Sequence, residues 1–117
     1  MPDLTPNTPI ITNASHVDQT LCAAIKGEID LHNSPELRGG LLDLLNKTNA
    51  KKLVLNLSQV PYMDSSAVAV LVELLQKLRK TSGKIFLTEL QPRVKGLLEI
   101  ARLNTIFQIC ATDADAK

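Results

Sequence analysis

A strand-like apolar run that passes through a polar knot into an apolar helix constrains this chain more than any other feature. Leu53-Val54-Leu55-Asn56-Leu57 precedes Val60-Pro61-Tyr62-Met63, then Asp64-Ser65-Ser66, then Ala67-Val68-Ala69-Val70-Leu71. A short run that is apolar on both faces fits a central strand of an α/β sheet, covered from both sides. Asp and Ser favour helix starts because their side-chain oxygens accept hydrogen bonds from the free N–H groups there. The spacing therefore predicts a strand over 52–58, a short turn, and a helix from about Ser65 to Thr81. Two hydroxyls, Ser65 and Ser66, fall at the positive end of that helix. On residue types alone the knot reads as a helix cap.

The rest of the chain supplies the partners for this unit. At 117 residues it fits one domain with one core. Aromatic residues make up only 3% of it, so that core must be aliphatic. Residues 1–9, with Pro2, Pro6 and Pro9 among polar neighbours, are expected to form a flexible arm. Ile10–Thr12 and Gln19–Lys26 read as two strands of a hairpin, with its turn near Ala14–Asp18 and a stop at Gly27. Ser34 is placed at the N-cap of a first helix, Pro35 at its first position, and Glu36 near its positive end. Leu37, Leu41, Leu44 and Leu45 share one face of that helix. Gly39-Gly40 costs it about 1 kcal/mol per glycine relative to Ala, and close backbone packing would explain the pair. Lys84–Thr88 reads as a further strand, Pro92 as the start of a helix carrying Val94, Leu97, Leu98 and Ala101, and Ile106–Cys110 as the last strand. Strands alternating with helices imply a mixed, mostly parallel sheet beyond the opening hairpin, with helices packed on it. The folded domain is assigned to residues 10–111, and 112–117 to a polar tail.

Charge and motifs narrow the function. Lys and Arg number 13 against 12 for Asp and Glu, a net charge of +1, which makes no electrostatic case for nucleic acid or an acidic membrane. No apolar run reaches the roughly 18 residues of a membrane span, and the start of the chain lacks the pattern of a secretory signal. Cys22 and Cys110, distant and in apolar runs, read as buried free thiols in a reducing compartment, so a cytoplasmic location is expected. His16 and His32 have no companion ligands at metal spacing, and no phosphate-binding glycine loop is present. Ser66 lacks the flanking glycines of a nucleophile elbow, and no base can be assigned to it. The chain is expected not to be an enzyme and to carry no cofactor or metal.

Eight of the nine residues from Ala67 to Leu75 are apolar, Glu73 being the exception. Val68, Leu71, Val72, Leu75 and Leu78 form a stripe wide enough to bury against the sheet. Ala67, Val70 and Leu74 form a neighbouring stripe, which either a second helix or a partner protein covers. Asp64 either caps the helix or orients the serine hydroxyls, with Ser65 as the structural hydroxyl. Tyr62 and Met63 lean towards the core.

Asp64-Ser65-Ser66-Ala67 after Leu55-Asn56-Leu57, with Gly27-Glu28-Ile29-Asp30 upstream, resembles the STAS-domain family of anti-sigma factor antagonists over about Ile10 to Ala111. The family motif is Asp-Ser-Ser-Gly with its second serine phosphorylated; Ala67 stands here in place of the Gly, and Ser66 in place of that serine. The resemblance implies a STAS fold and a protein-binding module switched at Ser66, with Asp64 and Ser65 supporting the phosphosite. It implies that the unphosphorylated form binds an anti-sigma factor that is also a serine kinase, releasing a sigma factor. Phosphorylation of Ser66 would abolish binding, and a metal-dependent serine phosphatase would restore it. In the family the loop matching Glu28–Ser34 lies near the phosphorylated serine and contributes to partner and nucleotide contacts. Asp30 and Asn33 are its matching polar positions, joined by Ala67, Val70 and Leu74 as expected partner contacts. The plainer role for Asp30 and Asn33 is to shape the turn and cap the first helix. STAS domains also serve as accessory subunits of lipid-transport ABC systems and as parts of stress-sensing assemblies. Ala67 keeps that alternative open, and a small-molecule or nucleotide sensor is a third class.

Overall fold

The computed structural model describes residues 3–116. Among them, two strands open the chain and helices then alternate with strands: β1 (Ile11–Val17), β2 (Thr20–Lys26), α1 (Ser34–Thr48), β3 (Lys52–Gln59), α2 (Ser65–Arg79), β4 (Lys84–Thr88), α3 (Pro92–Ile100), β5 (Gln108–Cys110) and α4 (Asp113–Ala116). The strands lie in the order β1-β2-β3-β4-β5. β1 and β2 form an antiparallel hairpin, and every later pairing is parallel. This is the mixed, mostly parallel sheet that the alternating pattern implies.

Side-chain alternation decides what each sheet face meets. Leu21, Ala23 and Ile25 of β2, Leu53, Leu55 and Leu57 of β3, and Ile85 and Leu87 of β4 are all buried in the core. Leu37, Leu41, Leu44 and Leu45 of α1 join them there, with seven apolar residues of α2 and Val94 and Leu98 of α3. α1 and α2 lie against each other, and the Arg38 guanidinium bridges to the Glu73 carboxylate across their outer edge at 2.7 Å. On the opposite sheet face Asn56 Nδ2 donates to both carboxylate oxygens of Asp113 at 3.1 Å, and Thr88 Oγ1 donates to Asp113 as well.

Several boundaries differ from the sequence reading. β1 runs to Val17, so the hairpin turn is Asp18-Gln19 and not Ala14–Asp18; Asp18 takes the left-handed φ of 55° that Asp tolerates in tight turns. α1 begins one residue earlier than the sequence reading had it: Asn33, not Ser34, is the N-cap, and Ser34 is buried inside the first turn. β5 covers only Gln108–Cys110.

Residues 112–117 are not simply a polar tail. Asp113–Ala116 is a short helix latched to the sheet through Asp113, with Ala116 buried. Residues 3–9 are not a loose arm either. Thr8 is buried and donates to Glu36 at the start of α1, and Lys47 Nζ near its end donates to the Asp3 carbonyl at 3.4 Å. Met1, Pro2 and Lys117, the outermost parts of the arm and tail assignments, lie outside the described residues. Cys22 and Cys110 are free and half-buried, not fully buried. They sit on β2 and β5 with two strands between them, about 14 Å of sheet, too far for a disulfide.

The strapped N-terminal segment explains one of the paired glycines. A Cβ on Gly40 would stand 2.7 Å from Ile11 Cδ1 and 2.9 Å from Thr8 Cγ2, whereas one on Gly39 meets nothing within 4 Å. Opposite outcomes are expected. Gly39→Ala should raise stability by about 0.5–1 kcal/mol through helix propensity. Gly40→Ala should lose about 1 kcal/mol, because overpacking of roughly 1–3 kcal/mol outweighs that gain. Urea denaturation of the two variants checks the sign of each.

Candidate functional site

The polar knot sits beyond the C-terminal ends of β2 and β3, the edge at which open α/β sheets place their sites. Two loops are tied together there. The Ile29 N–H donates to the Tyr62 carbonyl and the Asp64 N–H to the Ile29 carbonyl, both at 3.0 Å, which makes an isolated parallel bridge between Ile29 and Met63. Ile29, Val60 and Met63 are buried, so this pairing rests on the core. Tyr62 is half-buried, with the Arg93 guanidinium 4.9 Å from its ring centre.

Asp64 does both of the jobs open to it. Its backbone is extended and it caps α2: Oδ1 accepts the Ser66 N–H at 2.9 Å and the Ala67 N–H at 3.3 Å. The same Oδ1 accepts the Ser66 hydroxyl at 2.5 Å, while Oδ2 accepts the Leu31 N–H at 3.0 Å from the other loop. Ser66 is half-buried and its hydroxyl is oriented by this carboxylate. Ser65 is exposed, and among the described residues its hydroxyl makes no hydrogen bond, so it is not the structural hydroxyl of the knot.

The Ser66 hydroxyl bond, followed by the helix amides and the Leu31 N–H, holds the Asp64 carboxyl below its ordinary value of 3.8, against the opposing effect of desolvation. A carboxyl lowered on folding stabilises the fold above its unfolded pKa, and that stability is lost as pH falls through the folded value. The melting-temperature gap between wild type and Asp64→Asn is therefore expected to stay constant above about pH 5 and to shrink as pH drops below 3.8. Paired thermal melts across that range measure it.

Asn33 and Asp30 shape the second loop. Asn33 Nδ2 donates to the Glu28 carbonyl and its Oδ1 accepts the Asp30 N–H, both at 2.8 Å; Asp30 Oδ1 accepts the His32 N–H at 2.9 Å. The Asn33 side chain makes no capping bond to α1.

The apolar part of the expected contact surface is not where the sequence put it. Ala67, Val70 and Leu74 are 0%, 6% and 0% exposed, because α1 and the sheet enclose that side of α2. They are core, not partner contacts. The outward face of α2 carries Ser65, Ala69 and Gln76, with Val72 and Glu73 half-exposed. Leu31, 72% exposed on the loop that Asp64 pins, was also missed. The polar positions Ser65, Glu73 and Gln76 at helical spacing were the available signal for the outer face. Nothing in the sequence singled out Leu31.

A five-stranded mixed sheet with a capped, hydroxyl-bearing helix start beyond its strand ends defines a small α/β module with a half-buried serine at its strand-end edge. The STAS domain family model matches residues 11–116. The chain belongs to the STAS domain family. It is 34% identical over 87 residues to the anti-sigma-B factor antagonist of Bacillus subtilis, covering 74% of this chain and 78% of that one. The Thermotoga maritima protein TM1081 superposes with a TM-score of 0.82 at 26% identity over 89% of each chain. The Bacillus protein SpoIIAA in its phosphorylated form superposes with a TM-score of 0.68 at 20% identity, over 89% of this chain and 94% of that one. Among the described residues no helix is long and apolar enough to cross a membrane.

Proposed function

We propose that this protein is an anti-sigma factor antagonist whose binding is switched at Ser66. The observation that carries the reading is the Ser66 hydroxyl, half-buried at the start of α2 and held 2.5 Å from Asp64 beside an exposed helix face. The B. subtilis relative, named an anti-sigma-B factor antagonist, supports the partner class. SpoIIAA, which shares the fold, has structures in unphosphorylated and phosphorylated forms.

In this reading the unmodified chain binds an anti-sigma factor that is also a serine kinase, and so frees a sigma factor. The kinase transfers the γ-phosphoryl group of ATP to Ser66 Oγ; ADP leaves and the hydroxyl proton is released. The chain is the substrate in that step, not the catalyst. Phosphate adds about −1.5 to −2 charges at neutral pH. A partner seated over this edge must then desolvate and face a dianion, which disfavours the complex. A metal-dependent serine phosphatase restores the binding form, and the cycle runs in the cytoplasm.

Phosphopeptide mapping of the protein from its native cells, with identification of what co-purifies, tests this. Phosphate on Ser66 together with a serine kinase is expected. An unmodified Ser66 with a permease–ATPase complex would overturn the reading in favour of a transporter accessory role.

A further inference from the structure

We infer that Asp64 couples the chemical state of Ser66 to the loop after β2, its carboxylate keeping Leu31 in place while Ser66 is unmodified and a phosphate on Ser66 releasing it. This rests on the reading of Ser66 as the modified residue. One carboxylate serves both partners: Oδ1 takes the Ser66 hydroxyl at 2.5 Å and Oδ2 takes the Leu31 N–H at 3.0 Å. The loop is braced from within. Asn33 clips Glu28 to Asp30 from within, and Asp30 holds the His32 N–H, while Ile29 is buried and bridged to Met63. The Asn33 and Ser34 N–H groups donate to the Asp30 carbonyl at 3.2 and 2.8 Å, which holds Asp30 to the start of α1, and the Leu31–Asp64 bond joins Leu31 to the start of α2.

Phosphorylation changes this arrangement at one atom. Ser66 Oγ becomes an ester oxygen with no proton, so the donor that filled the 2.5 Å gap disappears and two acceptor oxygens face each other there. The phosphate also brings a dianion against the Asp64 carboxylate. Asp64 swings away from Ser66, and the Leu31 N–H loses its acceptor. Leu31, 72% exposed, is a large apolar side chain on the loop that Asp64 holds by its backbone. The docking edge then changes shape as well as charge, and Asp64 acts as a positioning residue for Leu31.

Amide hydrogen exchange in the ¹⁵N-labelled full chain, with phosphoserine incorporated genetically at position 66, tests the coupling without any partner. The Leu31 N–H is expected to exchange at least about tenfold faster than in the unmodified chain, while the Ile29 N–H, bonded to Tyr62, keeps its rate. Ser66→Ala, which removes the donor without adding charge, should retain Leu31 protection, and Asp64→Ala should show the released rate in the absence of phosphate. If Asp64→Ala does not fold, the phosphorylated and unmodified chains still decide the matter. Less than about a twofold change at Leu31 on phosphorylation overturns the coupling. Should partner affinity fall while Leu31 stays protected, charge alone operates the switch and the Ser66 reading stands without the coupling. Should Ser66 carry no phosphate in native cells, the Ser66 reading itself fails.

Discussion

Leu74→Ala is expected to lower stability by about 3 kcal/mol, within the 2–5 kcal/mol range for emptying a buried leucine site. Leu74 is fully buried between α2, α1 and the sheet, in the cluster that includes Leu41, Leu44 and Leu71. Close-packed surroundings relax only partly into such a gap, so lost contacts and cavity add. For a domain whose total stability is of the order of 5–15 kcal/mol, that is a large fraction. Urea denaturation should show a lower midpoint at unchanged slope. Ala69→Glu, one turn from Ser65 on the exposed face, should leave the midpoint within about 0.5 kcal/mol of wild type and act on partner binding instead. If Leu74→Ala weakened partner binding at full stability, the burial of this stripe would be refuted.

The second large effect is on affinity. Ser66→Asp is expected to fold with a melting temperature lowered by no more than about 8 °C, since the helix dipole favours a carboxylate in the first turn while repulsion from Asp64 weakens the cap of α2. It should nevertheless lose about a hundredfold in affinity for the proposed anti-sigma kinase, some 2.8 kcal/mol at 1.4 kcal/mol per decade. Ser66→Ala loses one hydrogen bond to Asp64 and adds no charge, so it should retain binding. Titration calorimetry of the two variants against the same kinase measures the contrast, and equal affinities would sink the switch.

Most of the sheet was legible because Leu53–Leu57 and Leu21–Ile25 are short apolar runs bounded by polar residues, and the α1 leucines keep one helical face. The Asp64 cap was legible for the same local reason: an Asp followed by an apolar helical run has few other uses. What the sequence concealed depended on tertiary contact. α2 is apolar over most of its circumference, so nothing local decided whether Ala67, Val70 and Leu74 met α1 or solvent. α4 has no apolar period to announce it. Its anchor is the set of three bonds from Asn56 and Thr88 to Asp113, residues far apart in sequence. The strap formed by residues 3–9 depends likewise on Thr8 meeting Glu36 and on Gly40 leaving room for it. The bond from Leu31 to Asp64 spans 33 residues and joins two loops, which no periodicity encodes.

The most direct test of the switch is to add ATP to a preformed complex of this chain with the serine kinase proposed as its partner. Complex remaining and phosphate on Ser66 are then followed in the same sample. The complex should dissociate in step with Ser66 phosphorylation, and Ser66→Ala should stay bound under the same conditions. A complex that persists with Ser66 fully phosphorylated would contradict the account.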